Sequence, residues 1–180
     1  MTWKIVTMCT HNRTRSVLAA ALLADHLRRA GVTAEVFSAG QRDAGLPATP
    51  ETVRLLAKRG LDASRHRSRT VDASLVEEAD LILTAEPQHV VSVAGRWQTA
   101  FDKTFVLPEL LRLAQPVGPL AGRDLVTWLA EVGTGRPTGA AYLTAEIDGI
   151  ADPTGQSAKV WRASFDEIDA MCERLAMMLR

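Results

Sequence analysis

Cys9, Arg15 and Ser16 stand in a C-x5-R-S spacing inside the stretch Met8-Cys9-Thr10-His11-Asn12-Arg13-Thr14-Arg15-Ser16. A β-like run, Lys4-Ile5-Val6-Thr7, precedes it, and a helix-forming run, Val17-Leu18-Ala19-Ala20-Ala21-Leu22-Leu23, follows. The three residues therefore sit on a strand-to-helix turn. Such a turn gathers backbone N–H groups and the positive end of a helix dipole, which suits an anion. The same dipoles favour the thiolate of a cysteine held there. Arg15 adds a planar, permanently charged fork that matches phosphate oxygens. A buried cysteine beside a solvated basic turn is the plainer reading. It leaves unexplained why His11, Arg13 and Arg15 all crowd Cys9.

The loop resembles that of the low-molecular-weight protein tyrosine phosphatase family, which reads C-x-G-N-x-C-R-S. The sequence matches at Cys9, Asn12, Arg15 and Ser16 and departs at His11, Thr14 and Val17, where the family has Gly, Cys and Pro. His11 is similar to the loop of some thiol-dependent arsenate reductases, which share the fold. The likeness runs through nearly the whole chain and thins between about residues 109 and 149.

The resemblance implies a mechanism. Thr10, His11, Asn12, Arg13, Thr14, Arg15 and Ser16 would bind a phosphoryl dianion, and the Cys9 thiolate would attack phosphorus in line. The Ser16 hydroxyl would stabilise the sulfur as nucleophile and leaving group. Asn12 tolerates unusual backbone angles. Ser38, in Ser38-Ala39-Gly40, would support the loop, and His66 would hold the Asn12 side chain. In the family an Asp-Pro supplies the general acid, which maps onto Asp152-Pro153. Pro153 restricts Asp152 to extended backbone, so the chain direction sets where the carboxyl points. The expected reaction is phosphate monoester hydrolysis through a phosphocysteine. Prearranged dipoles carry the charge, so neither a metal nor a cofactor is expected. Thr154 stands where the family has an aromatic residue, and Arg13 where it has an apolar one. Both departures weaken the match to phosphotyrosine and suggest a substrate with negative charge beyond the scissile phosphate.

Strands must position these groups. Strands are predicted at Lys4–Thr7, Thr33–Phe37, Asp80–Thr84 and Thr104–Leu107, alternating with helices. The helices are placed from Ser16 to Ala30 (closed by Gly31), from Thr49-Pro50 to Gly60, from Pro87 to Ala94 and from Pro108 through Leu113. Further helices are placed at Asp124–Val132 and Ala158–Leu179, with Gln115–Pro119 and Gly133–Gly139 as loops. Alternation of this kind implies an α/β fold: a three-layer sandwich with a four-stranded parallel sheet, order 2-1-3-4, and helices on both faces. The site belongs at the carboxyl end of the first strand. Residues 1–180 read as one domain.

The formal net charge is zero, from 21 basic and 21 acidic residues, so no general attraction to nucleic acid or an anionic membrane is expected. Two distant cysteines, Cys9 and Cys172, make no disulfide framework, and a free thiolate suits a reducing compartment. No apolar run reaches membrane-spanning length and the opening Met1-Thr2-Trp3-Lys4 runs directly into a strand, so a cytoplasmic location is expected. Cys172 falls on the apolar stripe of the last helix and reads as core. The partner is a phosphorylated protein or a small phosphate ester; the oligomeric state is left open. Arsenate reduction is the runner-up, weakened because Thr14 removes the neighbouring thiol. A phosphate-binding module without turnover is the third reading, and the joint presence of Cys9, Arg15 and Asp152 argues against it.

Overall fold

A computed structural model describes residues 2–42 and 44–180. Met1, part of the N-terminal reading, lies outside the described residues. Strands β1 (Trp3–Cys9), β2 (Ala34–Gly40), β3 (Leu81–Thr84) and β4 (Thr104–Val106) form a parallel sheet in the order β2-β1-β3-β4, as expected. Helices α1 (Arg15–Ala30), α2 (Pro50–Lys58), α3 (Ala73–Glu78) and α4 (Pro87–Arg96) lie in the first part of the chain. Helices α5 (Leu107–Val117), α6 (Leu125–Val132), α7 (Gly139–Thr144) and α8 (Ala158–Met178) lie in the second.

The central strand shows why both faces are covered. Ile5 packs with Leu81, Leu83 and Phe105 in a core shared with α1, α5 and α8. Val6, Met8 and Ile82 point the other way, onto Val76 of α3 and Val93 of α4. Alternate residues of β1 thus enter different cores, so apolar residues fall on both faces of the strand. The stripe on α8 is buried as its spacing predicts, with Ile168, Cys172 and Leu175 fully enclosed.

Some boundaries differ from the expectation. Gln115–Val117 is not loop but the end of α5, which runs through Pro116 to Gly118 (φ 82°). A proline in the last turn loses only one intrahelical bond, so the helix tolerates it. Asp80 does not belong to β3; its carboxylate accepts the Lys4 N–H at 2.8 Å. Thr49 occupies the N-cap position of α2, yet its hydroxyl lies 2.8 Å from the Thr52 hydroxyl and caps no backbone group. Two short helices, α3 and α7, and a 3₁₀ turn at Gln98–Lys103 were not foreseen, being too short to show periodicity. Among the described residues no helix is long and apolar enough to cross a membrane.

Register places the site. Cys9 pairs with Gly40, and Met8 with Thr84, so the ends of β2 and β3 flank the end of β1. The residues following each strand converge there.

Candidate active site

The turn from β1 into α1 is built around Asn12, which is fully buried with φ 52°, the left-handed region that asparagine tolerates. Its side-chain oxygen accepts the Arg69 N–H at 3.0 Å and its side-chain nitrogen donates to Ser16 Oγ at 3.0 Å. Ser16 Oγ lies 3.1 Å from Cys9 Sγ. Because the hydroxyl already accepts from Asn12, its own hydrogen is free to point at the sulfur, which is what a thiolate requires. The first backbone bond of α1 runs from the Leu18 N–H to the Thr14 carbonyl, leaving the N–H groups ahead of it for an outside acceptor.

His66 meets Asn12, but not as expected: its Nε2 donates to the Asn12 carbonyl at 2.7 Å, and the side chain is held by Arg69 instead. Ser38 lies in β2 opposite Thr7, and the structure shows it acting through its backbone: its carbonyl accepts Arg69 Nε at 3.0 Å, and its hydroxyl makes no hydrogen bond to the loop among the described residues. The support assigned to it comes from other groups. The Thr7 hydroxyl donates to the Ser16 carbonyl at 2.7 Å, and the N–H groups of Gln41 and Arg42 donate to the Thr10 carbonyl at 2.9 and 3.0 Å. Gly40 permits that approach, since a Cβ there would lie 2.9 Å from both Asn12 N and Thr10 O.

Arg15 is buried and bridges three segments. Its Nη1 donates to the Glu86 carboxylate and to the Ile150 carbonyl (2.9 Å); its Nη2 donates to Asp152 Oδ2 at 2.9 Å. Its Nε is buried without a partner among the described residues. An anion seated against Cys9 would give that donor an acceptor, so the residues fit a phosphoryl dianion. Asp152 also accepts the Thr154 N–H at 3.0 Å. Partial burial pushes its proton affinity up, but the Thr154 hydrogen bonds and the charges of Arg15 and His11 outweigh that and hold the carboxyl below the ordinary aspartate value.

Glu86 and His89 were missed. Burial pushes His89 down to about 4, with Glu86 and Arg15 acting in opposite senses, so the ring is neutral. Its Nδ1 accepts the Glu86 N–H at 3.2 Å, which makes Nε2 the donor to Thr10 Oγ1 at 3.1 Å. The visible signal is Glu86-Pro87 with His89 at the third helical position, a reciprocal cap opening α4.

Cys9, His11, Arg13, Thr14, Thr49, Asp152 and Thr154 line a cavity of about 70 Å³. Arg13 reaches along its rim, with Nε donating to the Pro47 carbonyl at 2.8 Å. Larger surface cavities of about 260 and 620 Å³ contain none of Cys9, Arg15 or Asp152. Cys172 is fully enclosed, its thiol directed to the Ala19 carbonyl at 3.6 Å, and burial, then the charge of Asp169, pushes it toward the protonated form. It is placed as core and offers no second thiol to the cavity.

Residues 4–113 match the model of the low molecular weight phosphotyrosine protein phosphatase family. The chain belongs to that family. It is 30% identical, over 100% of its length and 98% of the relative's, to a protein-arginine-phosphatase of Geobacillus stearothermophilus. It is 36% identical, over 59% of its length and 71% of the relative's, to a probable low molecular weight protein-tyrosine-phosphatase, EpsP, of Ralstonia solanacearum. Among solved structures, the YwlE arginine phosphatase with a serine in place of its active-site cysteine, and that serine phosphorylated, superposes with a TM-score of 0.72. It shares 26% identity, over 96% of this chain and 93% of that one. These relatives are phosphatases, and arsenate reduction is not favoured.

Proposed function

We propose that this phosphatase acts on a phosphorylated protein side chain, with Cys9 as nucleophile, Arg15 and the loop N–H groups as the anion clamp, and Asp152 as the acid. One observation carries the reading: Arg15 joins the loop that holds Cys9, 3.1 Å from Ser16 Oγ, to Asp152 at 2.9 Å. Nucleophile and acid thus line one small cavity, and the clamp is bonded directly to the acid. Two relatives named above, one an arginine and one a tyrosine phosphatase, give the substrate class its support. A nucleophilic thiol suits a reducing compartment.

The acid begins ionised. An entering dianion competes for the Arg15 guanidinium and brings negative charge beside the carboxyl. Both effects raise its proton affinity, so Asp152 takes up a proton from solvent as the anion binds and can then donate it. As the sulfur–phosphorus bond forms, the bond to the leaving group breaks and that proton follows it. Asp152 then takes a proton from the water that releases phosphate. A time course with p-nitrophenyl phosphate, phosphotyrosine and phosphoarginine peptides and a small sugar phosphate, beside arsenate plus a thiol, tests the reading. Turnover of arsenate alone would overturn it.

Asp152→Asn is expected to slow a poor leaving group by ~10²–10⁴-fold while slowing p-nitrophenyl phosphate far less, because a good leaving group departs without a proton. Equal losses on both substrates would make Asp152 structural.

Arg13, tethered on the rim, offers a cation to negative charge near the scissile group. Arg13→Ile is expected to raise KM for an acidic phosphopeptide by about 2–5-fold, the scale of an exposed ion pair, and to flatten the salt dependence of kcat/KM. Unchanged KM and salt dependence across acidic and neutral substrates would remove Arg13 as a specificity element.

A further inference from the structure

The strands run parallel, so the residues that open β3 and β4 lie at the end of the sheet opposite Cys9, which closes β1. A cavity of about 620 Å³ lies at that far end. It is bounded by the turn from α3 into β3, the 3₁₀ turn before β4, and α6 with the loop after it. Its volume is in the range of sites that take a small organic molecule.

Two chemistries meet in its lining. Phe105 and Leu129 are buried and apolar, and Val126, which also lines it, is 71% exposed. Glu77, Asp80 and Asp102 bring three carboxylates. The two cations of the lining are already engaged. Lys103 Nζ donates to the Ala79 carbonyl at 2.6 Å and to the Glu77 carbonyl at 3.3 Å. Arg136 Nε donates to Glu109 Oε1 at 2.8 Å, so its charge is met outside the cavity. Among the described residues neither Glu77 nor Asp102 forms an ion pair. The lining therefore carries surplus negative charge beside exposed apolar surface.

Water hydrates the carboxylates but gains nothing from the apolar wall. A neutral hydrophobe would cover that wall and strip water from the carboxylates without replacing it. An anion would be repelled. An apolar body that carries ammonium groups satisfies both surfaces at once. We infer that this cavity is a binding site, separate from the phosphatase site, for a small amphipathic cation: an apolar body bearing one or two amino groups. Bound there, such a molecule ties α3 and the 3₁₀ turn to α6 and stabilises the fold by mass action.

Three probes of one shape test the site on the full chain: 4-phenylbutylamine, 4-phenylbutanol and 4-phenylbutyrate, each followed by thermal unfolding and by titration of the amide resonances. The amine is expected to bind with a Kd of about 1 mM or below and to raise Tm. It should bind about fivefold tighter than the alcohol, and the butyrate should not bind. Added salt should weaken the amine and leave the alcohol unchanged. The amide signals of Glu77, Asp102 and Leu129 should move, and those of residues 10–16 should not. Saturating inorganic phosphate should leave the Kd of the amine unaltered. Glu77→Gln with Asp102→Asn is expected to remove the preference for amine over alcohol. Ala130→Trp, at an exposed lining position of α6, is expected to fill the cavity and abolish binding of both. A cooperative thermal transition shows that each variant is folded. No binding of the amine well above the expected Kd, equal binding of amine and butyrate, or signal changes confined to the Cys9 loop overturns the site. A preference for the amine that persists in the double variant overturns the role of the carboxylates.

Discussion

Cys9→Ser is expected to lower turnover of p-nitrophenyl phosphate by ~10⁴-fold or more, because the reaction loses its nucleophile. Binding of inorganic phosphate should survive. The anion is held by Arg15 and the loop N–H groups, and neither depends on the sulfur. The loop is fastened by Asn12, Arg69, His66 and the Gln41–Arg42 turn, all of which remain. Isothermal titration with phosphate and a stopped assay of turnover separate the two effects. A phosphoryl group trapped on the introduced hydroxyl, detected by intact mass, would match the phosphorylated serine of the YwlE mutant structure. Substantial turnover in Cys9→Ser would sink the mechanism. Cys172 provides the control. It lies in the α8 core, and its substitution by serine should cost modest stability without selective loss of activity.

Removing Arg136 is expected to be the most damaging single change to stability away from the active site. Its guanidinium donates to Glu109 Oε1 (2.8 Å) and Oε2 (3.0 Å), to the Thr104 carbonyl (2.7 Å) and to the Phe101 carbonyl (3.0 Å). It also lies over Phe105 and Phe101, 4.0 and 4.3 Å from the ring centres. The ion pair is buried, with Arg136 and Glu109 side chains 3% and 1% exposed. Tyr142 of α7 adds its hydroxyl to Glu109 at 2.9 Å, and burial, reinforced by the Glu109 charge, keeps that phenol protonated. Arg136→Met would strand the Glu109 carboxylate without a counter-ion. The cost expected is about 3–5 kcal/mol, or a fall in Tm of roughly 6–20 °C. The double change Arg136→Met with Glu109→Leu should recover much of the loss, because no unpaired charge is then left inside. Denaturant unfolding of the two singles and the double gives the coupling. An Arg136→Met protein as stable as wild type would mean the cluster contributes nothing net.

The same cluster shows what the region of 114–150 does for the fold. Read as sequence, Arg136 is one charge in a polar, Gly-marked loop. In the structure it pins the loop between α6 and α7 to the ends of β4 and α5. Nothing local marks it, because its acceptor Glu109 is 27 positions away and its ring partners lie on separate elements.

Local chemistry did determine a good deal. Alternating strand and helix patterns, Gly31 at the end of α1 and the end of α6 at Val132 are properties of a few adjacent residues, and they are as read. The strand-loop-helix setting of Cys9, Arg15 and Ser16 and the tolerance of Asn12 for positive φ are of the same kind. Side-chain partnerships across the fold are not. That His66 takes the Asn12 carbonyl while Arg69 takes its side chain depends on how the segment after α2 lies against the loop. That Glu86 reaches Arg15, 71 positions away, depends on β3 pairing beside β1 in the register Met8 to Thr84. Thr14 and Thr154 read as two unrelated departures until the loop before α8 brings their hydroxyls together. Backbone propensity and periodicity are sums over neighbours, so a sequence carries them openly. Which distant donor meets which acceptor is settled only when burial forces polar groups to find partners within the packed chain.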